Sequence, residues 1–384
     1  MLRALALLFA ASIAIAQPKE IPNPAGPGSG QPFLVADAGG RVYLSWIEPD
    51  GEGGHQLRFA VRDGQNWQTN TPAATGRNWF VNWADYPTFL PLPNGGLAAH
   101  WLEKSGDSKY SYGLKVAQST GAGSWSLSFA PKVHRPNDYT GFVSLIPISE
   151  GVGVAYLAPG AKGGEEDKSL RFARLSHAGA LISDELLDPD VCTCCQTAAA
   201  VTDDGPIVLY RDHEAGEVRD ISAIAFRNGR WTAPTTVHRD GWRINACPVN
   251  GPALAATGKR AVAAWYTGAA ERPTVYAAFS SNSGKNFTAP IRVDEGSPIG
   301  RVALAALPDG GAVISWVERK TGGGAQILLR RISPEGRRSA SQLVSEVDPG
   351  RRTGFPKLVL AGPRLIVTWT TDRVKTAEVD VPRI

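Results

Sequence analysis

The feature that most constrains this chain is a short apolar strand closed by an aromatic residue, which recurs seven times. It ends at Trp46, Trp101, Tyr156, Tyr210, Trp265, Trp316 and Trp369, in steps of 55, 55, 54, 55, 51 and 53 residues. Each unit repeats one internal order. An apolar strand leads into a tight turn (Phe33 to Gly40), and the aromatic strand follows. A polar loop then precedes an alternating third strand (Leu57 to Val61), and a more polar fourth strand, such as Trp231 to Val237, leads to the next unit. Period-two alternation bounded by Gly, Asn and Asp marks strands. A four-stranded repeat of this length is a propeller blade. One blade alone leaves its faces uncovered, and closing a ring buries them and leaves only short edges. The expectation is an all-β chain forming a seven-bladed β-propeller of four-stranded antiparallel blades. The alternative is a six-bladed ring with one degenerate unit outside it. The last unit, from Pro356 to Ile384, holds three strands, so the chain around Lys19 to Pro24 is expected to add the fourth and latch the ring.

The first sixteen residues read as a secretory signal: Arg3, an apolar stretch from Leu5 to Ile13, and the small-x-small site Ala14-Ile15-Ala16. Residues 17–384 would then form one propeller domain, periplasmic or secreted, with no membrane span after cleavage, and monomeric. With 40 basic and 36 acidic residues the net charge is only +4, which argues against a nucleic-acid partner. The expected partner is a glycan, a small molecule or another exported protein.

Several turns between third and fourth strands share a pattern. The clearest is Ser280-Ser281-Asn282-Ser283-Gly284-Lys285-Asn286-Phe287, with weaker copies at Arg62 to Trp67, Ser119 to Trp125 and Arg227 to Trp231. It resembles the Asp-box (BNR repeat), Ser-x-Asp-x-Gly-x-x-Trp, of the sialidase-like propellers, with Asn for Asp and Phe for Trp. The resemblance implies the fold, because these turns are structural in that family. It also implies a glycan-active enzyme, hydrolase or lyase, as an alternative function. The sialidase Arg-Ile-Pro motif is missing, however: Arg331-Ile332-Ser333-Pro334 falls late in the chain. Sialidase activity itself is therefore not expected.

In a propeller, the loops entering the innermost strands converge on one mouth of the central channel. Here they carry Asp85 and Tyr86, Asp138 and Tyr139, the run Cys192-Thr193-Cys194-Cys195, Cys247 with Asn250, Arg301, and Arg352. All four cysteines lie in two successive loops, and Cys192 and Cys247 each stand 18 residues before their blade's aromatic. They should meet in space. Two readings are open. In an oxidising compartment they form disulfides. Adjacent Cα atoms about 3.8 Å apart disfavour Cys194–Cys195, and of the two pairings that remain Cys192–Cys195 with Cys194–Cys247 fits best. Otherwise Cys192, Cys194, Cys195 and Cys247 hold copper or zinc. The sequence implies no other cofactor. Arg211 and Asp212 leave the aromatic strand beside the cysteines and, with Asp85, Tyr86, Asp138 and Tyr139, are the catalytic candidates. Arg219 and Asp220 read as a structural ion pair. These features point to a ligand- or partner-binding module acting at the cysteine-bearing mouth.

Overall fold

The computed structural model describes residues 17–120, 123–133 and 135–384; the expected signal peptide lies outside the described residues. Seven antiparallel sheets follow one another along the chain. Their innermost strands are Gly30–Ala36, Phe89–Pro91, Gly141–Ile148, Ala198–Thr202, Ala253–Thr257, Pro298–Ala306 and Lys357–Ala361, and we number the blades in that order. Seven blades are present, not six. Lys19 and Glu20 pair with Glu378 and Ala377, so the chain's first described strand completes blade 7. Ile21 N–H donates to Thr376 O at 2.9 Å, and Thr376 Oγ1 returns a bond to Ile21 O at 2.8 Å.

All seven repeat aromatics lie on second strands and are buried, none more than 8% exposed. Their apolar bodies fill the space between blades, each contributing about 1.5–3 kcal/mol by burial. Their polar tips find carboxylates. Trp46 Nε1 donates to Glu48 at 2.7 Å, Trp101 Nε1 to Glu103 at 2.8 Å, and Trp316 Nε1 to Glu318. Trp265 Nε1 reaches Asp240 at 2.7 Å, and the hydroxyls of Tyr156 and Tyr210 reach Asp184 and Asp188. Trp369 Nε1 alone has no partner.

Two details depart from expectation. The fourth strand of blade 4 is split into Arg230–Trp231 and Thr235–His238 around Pro234, which has no N–H for the ladder. Arg219 and Asp220 do not pair with each other. Arg219 Nη2 binds Glu217 at 2.7 Å, while Asp220 accepts the Gly241 and Trp242 N–H groups.

Antiparallel order places the loops entering the innermost strands and the loops between second and third strands at one end of the ring. Blades 1, 3 and 6 begin with a register shift around a residue of positive φ: Gln31 at 49°, Phe142 at 52° and Arg301 at 54°. Bulges of this kind bend a strand and re-aim its side chains. Three of the seven entering strands are thus turned at the mouth. Among the described residues, no helix is long and apolar enough to cross a membrane.

Candidate functional site: the cysteine-bearing mouth

The loop entering blade 4 is fixed at both ends. Cys192 N–H donates to Arg211 O at 3.1 Å. Gln196 Nε2 crosses to Ala84 O of the blade 2 loop at 2.7 Å, and its Oε1 accepts the Gly251 N–H of the blade 5 loop at 2.9 Å. Held between these ties, Cys192, Cys194 and Cys195 turn their sulphurs to one point, all within 4.8 Å of one another. Cys192 and Cys195 are buried, and Cys194 is half-buried. Exposed Cys247, from the next loop, reaches Cys194 and lies 3.7 Å from Thr193 Oγ1.

The sequence arithmetic that brought the two loops together holds, but the expected disulfides are not made. All four are free thiols, and Cys192 and Cys195 Sγ stand 3.4 Å apart, against the ~2.05 Å of a disulfide. The sulphurs are linked by hydrogen bonds and not covalently. Hydrogen bonds from Cys194 and Cys195 hold Cys192 well below the ordinary thiol range, with Arg211 assisting. Bonding to Cys192 pushes Cys194 up, and burial pushes Cys195 up. Cys194 draws Cys247 down to about 7.

Two buried arginines flank the cluster and differ in use. The Arg211 guanidinium is spent on carbonyls: Asn250 O at 2.7 and 3.0 Å, Tyr266 O at 2.7 Å and Arg219 O at 2.5 Å. Its face lies 4.8 Å from the Trp242 ring. It locks blade 4 to blade 5 and leaves no fork for a ligand carboxylate. Arg219 contacts Cys192, and its Nε has no hydrogen-bond partner. Asp212 accepts from Ser222 Oγ at 2.7 Å and from His213 N–H at 2.8 Å, and burial lifts it to about 6.

The other candidates form a second, largely buried group. Asp85 accepts the Phe142 N–H at 2.7 Å and the Tyr112 hydroxyl at 3.1 Å, and burial raises it to about 7. Tyr112 stacks on Tyr139 at 4.9 Å, and the Tyr139 hydroxyl donates to Thr193 O inside the cysteine loop. A continuous chain of contacts thus runs from Asp85 to the thiols. Asp138 caps Gly164 N–H at 2.6 Å. Tyr86 lies under Lys357, whose Nζ is 3.8 Å from the ring centroid. Arg301 gives its guanidinium to Pro349, Gly350 and Gly354 carbonyls and covers Trp83 at 5.0 Å. Asn250 Oδ1 accepts the Arg301 N–H at 2.7 Å. Arg352 sits exposed in the turn Arg351–Thr353, away from the cysteines' contacts.

The rim is therefore interlocked. Trp83 stacks on Phe355 across the mouth at 5.7 Å, and a channel space of about 210 Å³ lies among Tyr86, Thr88, Ser144, Thr197 and Lys357. A larger cleft of about 890 Å³ opens on the same end between blades 1 and 2, lined by His55, Asn78, Trp79, Phe80, Lys104, Asp107 and Lys109. Sequence reasoning missed this cleft and the Arg219–Cys192 contact. It also missed Lys168, which opens its strand as a fully buried cation over the Tyr139 ring, 4.0 Å from the centroid. The only signal for Lys168 was its place at the head of an otherwise apolar, alternating strand.

No family model matches the chain, and no curated protein does. In the Ser280 turn the Gly284 N–H donates to Ser280 Oγ at 2.9 Å; Asp-box repeats are not shown by these comparisons. Solved structures do match over nearly the whole chain. A protein of unknown function from Dyadobacter fermentans shares 15% identity over 96% of this chain and 98% of its own, with a TM-score of 0.54. A polysaccharide lyase of family 25, an ulvan lyase bound to a GlcA–Rha3S unit, shares 13% over 94% and 96%, with a TM-score of 0.60. A Hadza microbial sialidase shares 13% over 92% and 66%, with a TM-score of 0.51. At these identities the likeness defines the fold: a seven-bladed propeller of the kind seen in glycan-active proteins.

Proposed function

We propose that this protein is an exported ligand-binding module, monomeric, that holds a thiophilic ligand at the cysteine-bearing mouth. One observation carries the reading. Three free thiols of one loop meet at a single point, with a fourth from the next loop against Cys194, beside a buried arginine whose Nε is unpartnered. Stability gives no reason for such crowding, because the blade interfaces are already filled by buried aromatics. The rim arginines Arg211 and Arg301 are committed to backbone carbonyls, which favours binding over glycan catalysis at this mouth. The test is native mass spectrometry of the chain purified anaerobically from the periplasm. A bound increment that disappears in Cys192→Ser is expected. A bare mass, with all the cysteines oxidised to disulfides, would sink the reading.

A second reading rests on the blade 1–2 cleft. His55 stacks on Trp79 at 6.3 Å with ring planes 15° apart, and Lys104 and Lys109 stand at its edge. Stacked aromatics beside cations suit an acidic sugar, and glycan-active propellers are among the structural neighbours. Calorimetry with a uronate-containing oligosaccharide tests it. Measurable heat that is lost in Lys104→Ala with Lys109→Ala supports a glycan partner, and no heat removes it.

A further inference from the structure

We infer that Cys192, Cys194 and Cys195 form a three-thiolate site for one copper(I) ion, with exposed Cys247 as the thiol through which the ion enters and leaves. This rests on the proposed thiol-based capture and names its ligand.

The donor set is all sulphur. Thiolates select copper(I) and zinc over harder ions. A metal–sulphur bond of about 2.3 Å in a trigonal plane puts the sulphurs about 4 Å apart. The Cys192–Cys195 separation of 3.4 Å and the 4.8 Å limit on the three bracket that spacing. The ion therefore needs sub-ångström adjustments and no rebuilding of the loop. A structural zinc site asks for four ligands in a closed tetrahedron. Here three thiols converge on one loop, and the fourth is exposed on another.

Charge points the same way. Three thiolates around a monovalent ion carry a net charge of −2, which is unfavourable in a buried place unless balanced. Arg219 is 8% exposed, touches Cys192 and keeps its Nε without a partner. Arg219 already bonds the Cys192 sulphur and Glu217, and a positive charge held against a metal-bearing thiolate offsets part of the cluster's negative charge. Arg211, beside the same sulphur, adds a second positive charge. Three Cu–S bonds form, and each sulphur that still carries a proton loses its S–H bond as it binds, whereas one already a thiolate loses none. The protons pass to solvent, and copper keeps its oxidation state. Exposed Cys247, in contact with Cys194, can hold the ion before all three inner sulphurs have bound it.

The test is an anaerobic titration of the reduced full chain with copper(I), in competition with bathocuproine disulfonate, and separately with zinc. The inference expects one copper(I) per chain with a thiolate-to-copper absorption band. The band should vanish in Cys192→Ser and Cys195→Ser and persist at the same stoichiometry in Cys247→Ser, with altered exchange to the chelator. Arg219→Gln should weaken binding by about 10-fold, as outer contacts to metal ligands do, without changing stoichiometry. Thermal melting confirms that each variant is folded. One zinc per chain, abolished by Cys247→Ser, would replace the inference with a tetrahedral zinc site. If folded protein binds neither metal, the inference fails. A thiol-dependent increment in the native mass spectrum would then leave capture at the mouth standing.

Discussion

Two buried residues near the mouth make opposite demands on pH. His100 is fully buried on the second strand of blade 2, and its Nδ1 accepts the Thr88 N–H at 2.9 Å. Burial pushes its pKa down to about 3. An unfolded chain binds that proton below about 6.5. The histidine's contribution is therefore full above about 6.5 and falls as pH drops towards about 3, by up to about 1.4 kcal/mol per unit. Asp85 does the reverse. Its folded pKa of about 7 lies above the ordinary 3.8, so stability falls as pH rises from about 4 to about 7 and then levels. Between about 4 and 6.5 the two slopes oppose each other. Urea midpoints across pH should show this. Asp85→Asn, which keeps an acceptor for the Phe142 N–H, should become more acid-sensitive. His100→Gln should instead lose stability as pH rises from 4 to 7. Equal profiles for the two variants would contradict the assignment. A third residue, Gly251, tests the seam between blades: a Cβ there would meet Gln196 O at 2.1 Å. Gly251→Ala should lower stability by more than about 2 kcal/mol, the scale of a steric clash in a packed interior.

At the scale of elements, the aromatic strands show why the fold was legible. Strand alternation is written directly in the sequence, and a residue repeated every 54 or so positions must occupy the same place in each blade. The carboxylates that tie the aromatics were half legible. Trp46-Ile47-Glu48, Trp101-Leu102-Glu103 and Trp316-Val317-Glu318 repeat one spacing, whereas Asp184 lies on a later strand of its blade, and Asp188 and Asp240 lie on the fourth strand of the preceding blade or just after it, at offsets no spacing reveals. Glu318 also accepts N–H groups from Glu295 and Ser297. Glu318→Ala leaves the buried Trp316 Nε1 without its acceptor and should reduce stability by about 1–3 kcal/mol, read from the shift in denaturant midpoint. The site was legible only as far as the repeat reached. Equal offsets placed Cys192 beside Cys247, but the sulphur spacing depends on Gln196 bridging loops that lie 112 and 55 residues away. The unused Nε of Arg219 and the cleft between blades 1 and 2 likewise arise from loop packing, which follows no sequence period.

For the whole molecule, the interlocked rim predicts rigidity at the mouth. Arg301, Arg211, Asn250 and Gln196 each join different blades. Amides of the cysteine loop should thus exchange with solvent nearly as slowly as those of the innermost strands, and ligand binding should move the backbone little. Fast exchange confined to residues 190–197 would contradict this. The same commitments leave Arg211 and Arg301 no free fork for a sialic acid carboxylate. Release of sialic acid from a fluorogenic substrate is expected to stay at background, and efficient turnover would overturn that expectation.

The pairing of Lys19 with Glu378 has a consequence in time. Residues 359 positions apart share a hydrogen-bonded strand pair, so a segment made before blades 1 to 6 is seated only after them. Six blades can assemble as the chain emerges, but blade 7 must wait for its final strand and then recruit a partner left unpaired since the start. Contacts this distant in sequence form slowly. Until then the nascent ring has an open seam, and whatever shields residues 19–23 during that interval governs how much of the newly made chain reaches the closed form.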